Sequence, residues 1–109
     1  MLKYREDRGI VIVMIDYDLA EDKAITFKDD MKGLIDQGKN RFVLDMQNVS
    51  LMTSMGRSSL CQINKKLIPQ DGWIRLANID ESLMQFINLT SLHDTFDIFE
   101  SVEQALMTE

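Results

Sequence analysis

Residues 41–56 read RFVLDMQNVSLMTSMG, a β-strand pattern that runs through a short connector into small residues able to start a helix. Phe42, Leu44 and Met46 alternate with Arg41, Val43 and Asp45, the two-residue period of a strand with one better-buried face. Thr53, Ser54 and Gly56 then supply N-cap and turn chemistry ahead of a helical run from Arg57. A strand that runs into a helix in so few residues fits a layered α/β fold.

The flanking segments continue the alternation. Residues 2–6 and 10–17 read as two strands around the turn Asp7-Arg8-Gly9, and the second is rich in β-branched residues. Between residues 21 and 37, Ala24, Phe27, Met31, Leu34 and Ile35 recur at three- and four-residue steps, which predicts an amphipathic helix stopped by Gly38. A second helix carries Leu60, Ile63 and Leu67, and Pro69 with Asp71-Gly72 turns the chain into a strand over 73–77. Asp80 is placed to cap a third helix bearing Leu83, Phe86 and Ile87. Ser101 and Gln104 have capping-box spacing for a fourth, after a short strand at 96–99. The expected fold is α/β: a mixed sheet of four or five strands, with parallel neighbours joined by right-handed crossovers and about four helices packed mainly on one face.

Composition narrows the function classes. The 109 residues are 45% hydrophobic and 28% charged with one proline and five glycines, which suits one soluble globular domain over residues 1–109. The lone Cys61 excludes an internal disulfide or a multi-thiolate zinc site and fits a reducing cytoplasm. The apolar run at 10–15 is too short for a signal peptide or a membrane span, so no membrane insertion is expected. With a formal charge of -6 and Lys65-Lys66 as the longest basic run, the chain lacks the cation cluster that nucleic-acid binding requires. A protein partner is the better expectation.

The segment VLDMQNVSLMTSMG, residues 43–56, resembles a strand, the V-S-x-M-D-S-S/T-G segment and a helix start of the STAS domain, and within it of the bacterial anti-sigma factor antagonists. INLTSLHDTFDIFESVEQAL, residues 87–106, resembles that family's closing motif, and the similarity extends over nearly the whole chain. The resemblance implies partner switching: the unmodified antagonist captures an anti-sigma factor that is also a serine kinase, and phosphorylation releases it. Ser54 aligns with the phosphorylated serine, with Thr53 the fallback hydroxyl. The implied contact surface is the Asp18 loop together with Thr53, Ser54, Met55, Gly56 and Arg57. In this chain Thr53 stands for the acidic residue before the serine, Met55 for the small hydroxyl residue after it, and Ser91 for a glycine. The loop motif G-x-[IL]-D is reduced to Tyr17-Asp18-Leu19-Ala20.

Other residues have plainer readings. Without the resemblance, Ser54 reads as an N-cap stabilising its helix by about 1 kcal/mol. Cys61 reads as a partly buried structural thiol, His93 as a turn or surface residue, and Trp73 as partly buried at the sheet's end or rimming an interface. Most of the eight methionines belong to the core, whereas Met55 is expected to touch a partner. The chain has no glycine-rich phosphate loop, and no Ser/His/Asp constellation can be argued from one histidine, so catalysis, a cofactor and a metal are not expected. Two alternatives stay within binding proteins: a STAS scaffold or transporter-associated module that is never phosphorylated, and a small-ligand sensor using the groove near Asp18 and Ser54. A further alternative is a receiver-like phosphoacceptor at Asp45, with Asp16 and Asp18 completing an acidic cluster. Its spacing is wrong, because only one helix intervenes between the acidic pair and Asp45.

Overall fold

Strands β1 (Lys3–Asp7) and β2 (Ile10–Met14) form an antiparallel hairpin in the register Lys3↔Met14 to Asp7↔Ile10. Its turn residues Arg8 and Gly9 have φ of 52° and 82°, the mirror-image geometry that matches the twist of paired strands. The computed structural model describes residues 2–108. β2 ends at Met14, three residues short of the expected strand, because Ile15, Asp16 and Tyr17 leave the ladder for the loop leading to α1.

Helix α1 (Glu21–Asp36) buries Ala24, Phe27, Met31, Leu34 and Ile35, the stripe expected from its spacing. After Gly38 at φ 96°, strand β3 (Arg41–Asp45) pairs in parallel with β2. Helix α2 (Ser54–Leu67) and a 3-10 turn over Ile68–Gln70 lead to β4 (Trp73–Ala77), parallel to β3. Helix α3 (Glu81–Thr90) is capped by Asp80, whose carboxylate accepts the Leu83 N–H at 2.7 Å. Strand β5 (Asp97–Phe99) runs parallel to β4 and is one residue shorter than expected, with Phe96 buried just before it. The Ser101 hydroxyl accepts the Gln104 N–H at 3.1 Å to open α4 (Val102–Met107), while the Gln104 side chain accepts the Glu100 N–H. The result is a five-stranded mixed sheet in the order β1-β2-β3-β4-β5 with four α-helices, the expected α/β class.

The sheet is covered on both faces. Phe42, Leu44, Val11, Val13, Ile74 and Leu76 point into the larger core with the apolar stripes of α1, α2 and α3. Val43, Ile10, Ile12 and Ala77 lie on the other face under Val102 and Ala105 of α4. Strand β3 therefore has two buried faces rather than one, because α4 covers the side that its alternation left to solvent. Arg75 sits on that side with its guanidinium 3.9 Å from the Trp73 ring centroid. It donates to the carbonyls of Ala105 at 2.7 Å and Thr108 at 2.8 Å, so a buried charge is satisfied by the end of α4.

Candidate functional site

Three loops at the carboxyl ends of β2, β3 and β4 meet at one end of the sheet, the usual place for binding sites in open α/β folds. The β2–α1 and β3–α2 loops are zipped together by a single parallel bridge between Leu19 and Met52. Leu19 N–H donates to the Leu51 carbonyl at 3.1 Å, and Thr53 N–H donates back to the Leu19 carbonyl at 3.1 Å. One oxygen of Asp18 accepts both the Ser50 N–H at 3.0 Å and the Leu51 N–H at 3.2 Å. Asp18 is thus a half-buried structural acceptor for the connector.

This zipper explains where α2 begins. The helix starts at Ser54, three residues before the expected Arg57, since Thr53 is held extended by its bond to Leu19 and its carbonyl accepts the Arg57 N–H. Gly56 lies against the Leu19 carbonyl and 2.9 Å, measured from where a Cβ would stand, from the Met52 side chain. Its lack of a side chain lets the first turn of α2 dock onto the β2–α1 loop. One turn later the buried Ser59 hydroxyl donates to the Ala24 carbonyl at 3.2 Å and closes the α1–α2 contact. Tertiary packing has overridden the weak helix propensity of Ser-Met-Gly.

The N-cap of α2 is Thr53, and its side chain makes no capping bond; its hydroxyl oxygen is buried without a hydrogen-bond partner among the described residues. Ser54 is the first helical residue and is exposed, so it is not the N-cap that its sequence context suggested. Met55 is 40% exposed and Leu51 53%, giving the rim two apolar side chains, of which Leu51 escaped sequence reasoning because it belongs to no periodic pattern. Arg57 is exposed and donates to the Thr90 carbonyl at the end of α3 at 3.3 Å. That link was also invisible to local patterning, since it joins residues 33 positions apart.

The acidic residues do not converge. Asp16 pairs with Lys3 at 2.8 Å, and the Lys3 hydrogen bond and charge hold its carboxyl below the ordinary range. Asp45 accepts the Gln47 N–H at 3.1 Å and the Asn78 side-chain amide at 3.0 Å, tying β3 to the β4–α3 loop. Among the described residues no group of three His, Cys, Asp or Glu side chains could hold a metal. Tyr17, just before Asp18, is half-buried beneath the Lys23 ammonium, and its hydroxyl is pushed up to about 12 by burial, helped by the charges of Asp30 and Asp16. Two cavities of about 280 and 340 Å³ open elsewhere, one between β1 and α1 and one between β5 and α3, and neither is lined by Asp18 or Ser54. Cys61 is half-buried against the larger core, and His93 is exposed in a 3-10 turn 3.5 Å from Asp94. Trp73 is half-buried at the start of β4.

The STAS domain profile matches residues 1–105. The chain belongs to the STAS domain family. Solved structures agree in fold. A Thermotoga maritima protein assigned as an anti-sigma factor antagonist superposes with a TM-score of 0.91 at 22% identity, covering 96% of this chain and 91% of that one. The Bacillus cell fate determinant SpoIIAA in its phosphorylated form gives 0.72 at 16% identity, over 97% and 96% of the two chains. A sulfate transporter family protein from Wolinella succinogenes gives 0.73 at 17% identity, over 92% and 84%. This STAS domain thus shares its architecture with antagonists and with a transporter-family protein alike. Among the described residues no helix is long and apolar enough to cross a membrane.

Proposed function

We propose that this STAS domain is an anti-sigma factor antagonist, a partner-switching regulator of transcription that acts in the cytoplasm by binding rather than catalysis. Its partner is an anti-sigma factor with serine-kinase activity, bound through the Asp18 loop and the start of α2 from Thr53 to Arg57. The observation that carries this reading is the contrast between adjacent hydroxyls: Ser54 is exposed on the first turn of α2, whereas the Thr53 hydroxyl is buried. A kinase reaching this rim meets Ser54 first. Its Oγ attacks the γ-phosphorus of ATP, the bond to the ADP oxygen breaks, and the hydroxyl proton passes to the kinase's base.

The phosphoserine adds nearly two negative charges where positive helix-end dipoles tolerate them, so the antagonist keeps its fold. A partner surface packed over Met55 and Leu51 would have to bury and desolvate this charge and is expelled. Intact-mass analysis after incubation with the cognate anti-sigma kinase and ATP should show one added phosphate that Ser54→Ala abolishes. Ser54→Asp should weaken association roughly tenfold or more. An unmodified protein, or an undiminished affinity of Ser54→Asp, would sink this assignment.

A second reading, a non-phosphorylated scaffold or transporter-associated module, draws on Thr53 replacing the acidic neighbour and on the likeness to a sulfate transporter family protein. It predicts stable binding with no phosphate on Ser54 or Thr53. A receiver-like role for Asp45 has less support, because that carboxylate is engaged with Gln47 and Asn78.

A further inference from the structure

Arg57 follows Ser54 by three positions on α2, the separation at which helix side chains are neighbours. Long side chains on a helix favour rotamers that lean toward its N-terminus, and in such a rotamer the Arg57 guanidinium, now at Thr90, would reach Ser54. At present the guanidinium makes one 3.3 Å hydrogen bond to the Thr90 carbonyl, beyond the usual range for N–H···O and open to water. Among the described residues no carboxylate is paired with Arg57, and the first turn of α2 contains no acidic residue. An exposed cation with a weak tether and no counter-ion thus stands one turn from the exposed hydroxyl.

We infer that Arg57 is the internal ligand of a phosphate on Ser54, exchanging its Thr90 carbonyl contact for the phosphoryl oxygens. The inference rests on Ser54 being the modified residue. A guanidinium presents a planar fork of donors that can meet two phosphate oxygens at once, a stronger contact than its single bond to a neutral carbonyl. The exchange has two consequences. The phosphate is held flat against α2 and favoured in its dianionic form, and the C-terminal end of α3 loses its side-chain link to α2. Modification at one helix is thereby transmitted to the next without any change of fold. Arg57 is a positioning residue in this scheme, since it acts on the modified group and not on the kinase chemistry.

The test installs phosphoserine at position 54 of the full chain by genetic encoding, so that no kinase is needed. Phosphorus NMR then follows the second ionisation of the phosphate, which lies near 6 for a free phosphoserine. With Arg57 present the midpoint should fall at least about half a pH unit below that of Arg57→Ala, roughly a threefold lower proton affinity. Arg57→Lys, which keeps the charge but loses the fork, should recover only part of the shift. The carbonyl-carbon resonance of Thr90 should move on phosphorylation in the parent protein and stay fixed in Arg57→Ala. Equal midpoints in the parent and Arg57→Ala, or an unmoved Thr90 carbonyl, would overturn the inference. Failure of a kinase to modify Ser54 would remove the regulatory reading but leave this result unchanged, so the two are separable.

Discussion

Gly56, in the first turn of α2, and Gly33, in the last turn of α1, should respond to the same substitution with opposite sign. A Cβ on Gly33 meets nothing within 4 Å, so Gly33→Ala should stabilise the protein by about 0.5–1 kcal/mol through lower backbone entropy in the unfolded chain. A Cβ on Gly56 meets the Leu19 carbonyl, which is backbone held in the Leu19–Met52 bridge and cannot swing aside. Gly56→Ala should therefore cost roughly 2–3 kcal/mol, the scale of an overpacked core. Urea unfolding of both variants measures the pair, and a stabilised Gly56→Ala would show that the docking of α2 on the β2–α1 loop is loose. Sequence reading took Gly56 as a turn residue, whereas the structure places it within α2. Its glycine serves close approach in the first turn of a helix, a requirement set by Leu19, which lies far earlier in the chain.

At the scale of elements, helices and strands were legible wherever periodicity and punctuation agreed. The buried stripe of α1, the Asp80 cap of α3 and the bounds of β4 follow from local residues alone. The loops were not legible, because their geometry is made by partners in other loops. Asp18 was singled out as a contact residue, yet its carboxylate also organises the connector by accepting two backbone N–H groups from Ser50 and Leu51. Asp18→Ala should free both donors and cost about 2 kcal/mol, within the range for charge-assisted bonds at a partly exposed site. Amide exchange at Ser50 and Leu51 should accelerate in that variant while the β3 amides stay protected. Uniform acceleration would mean that the loop and the sheet open together, and unchanged exchange would show that the bridge between Leu19 and Met52 holds the connector without Asp18. Ser91 illustrates the converse case: it adopts φ 60° at the end of α3, where the resemblance led one to expect glycine, so the backbone demand persists although the residue has changed.

Across the whole molecule, the covering of both sheet faces was only half readable, since α4 is six residues long and the alternation of β3 contains no sign of what would pack on Val43. The same whole-molecule arrangement makes stability depend on alkaline pH. The loop after β2 brings Tyr17 under Lys23 of α1, and burial, with the charges of Asp30 and Asp16, raises its hydroxyl from 10.0 to about 12. In the unfolded chain the phenol loses its proton near 10, so between these values the folded state binds more protons than the unfolded one. Stability linked to Tyr17 is thus fully present below pH 10 and is lost as pH rises through about 12. Lys3 and Lys39, raised by their hydrogen bonds to Asp16 and Glu6, contribute with the same sign, but they are unchanged in Tyr17→Phe. That variant keeps the ring and its contact with Lys23 while removing the titrating group. Unfolding midpoints in urea, measured at intervals from pH 8 to beyond pH 11, should decline more steeply for the parent than for Tyr17→Phe above about pH 10. The slopes should differ by less than one proton per molecule, because a half-exposed hydroxyl feels solvent screening. Parallel curves would show that the hydroxyl titrates alike in both states, and that the loop carrying Asp18 does not shield its neighbour.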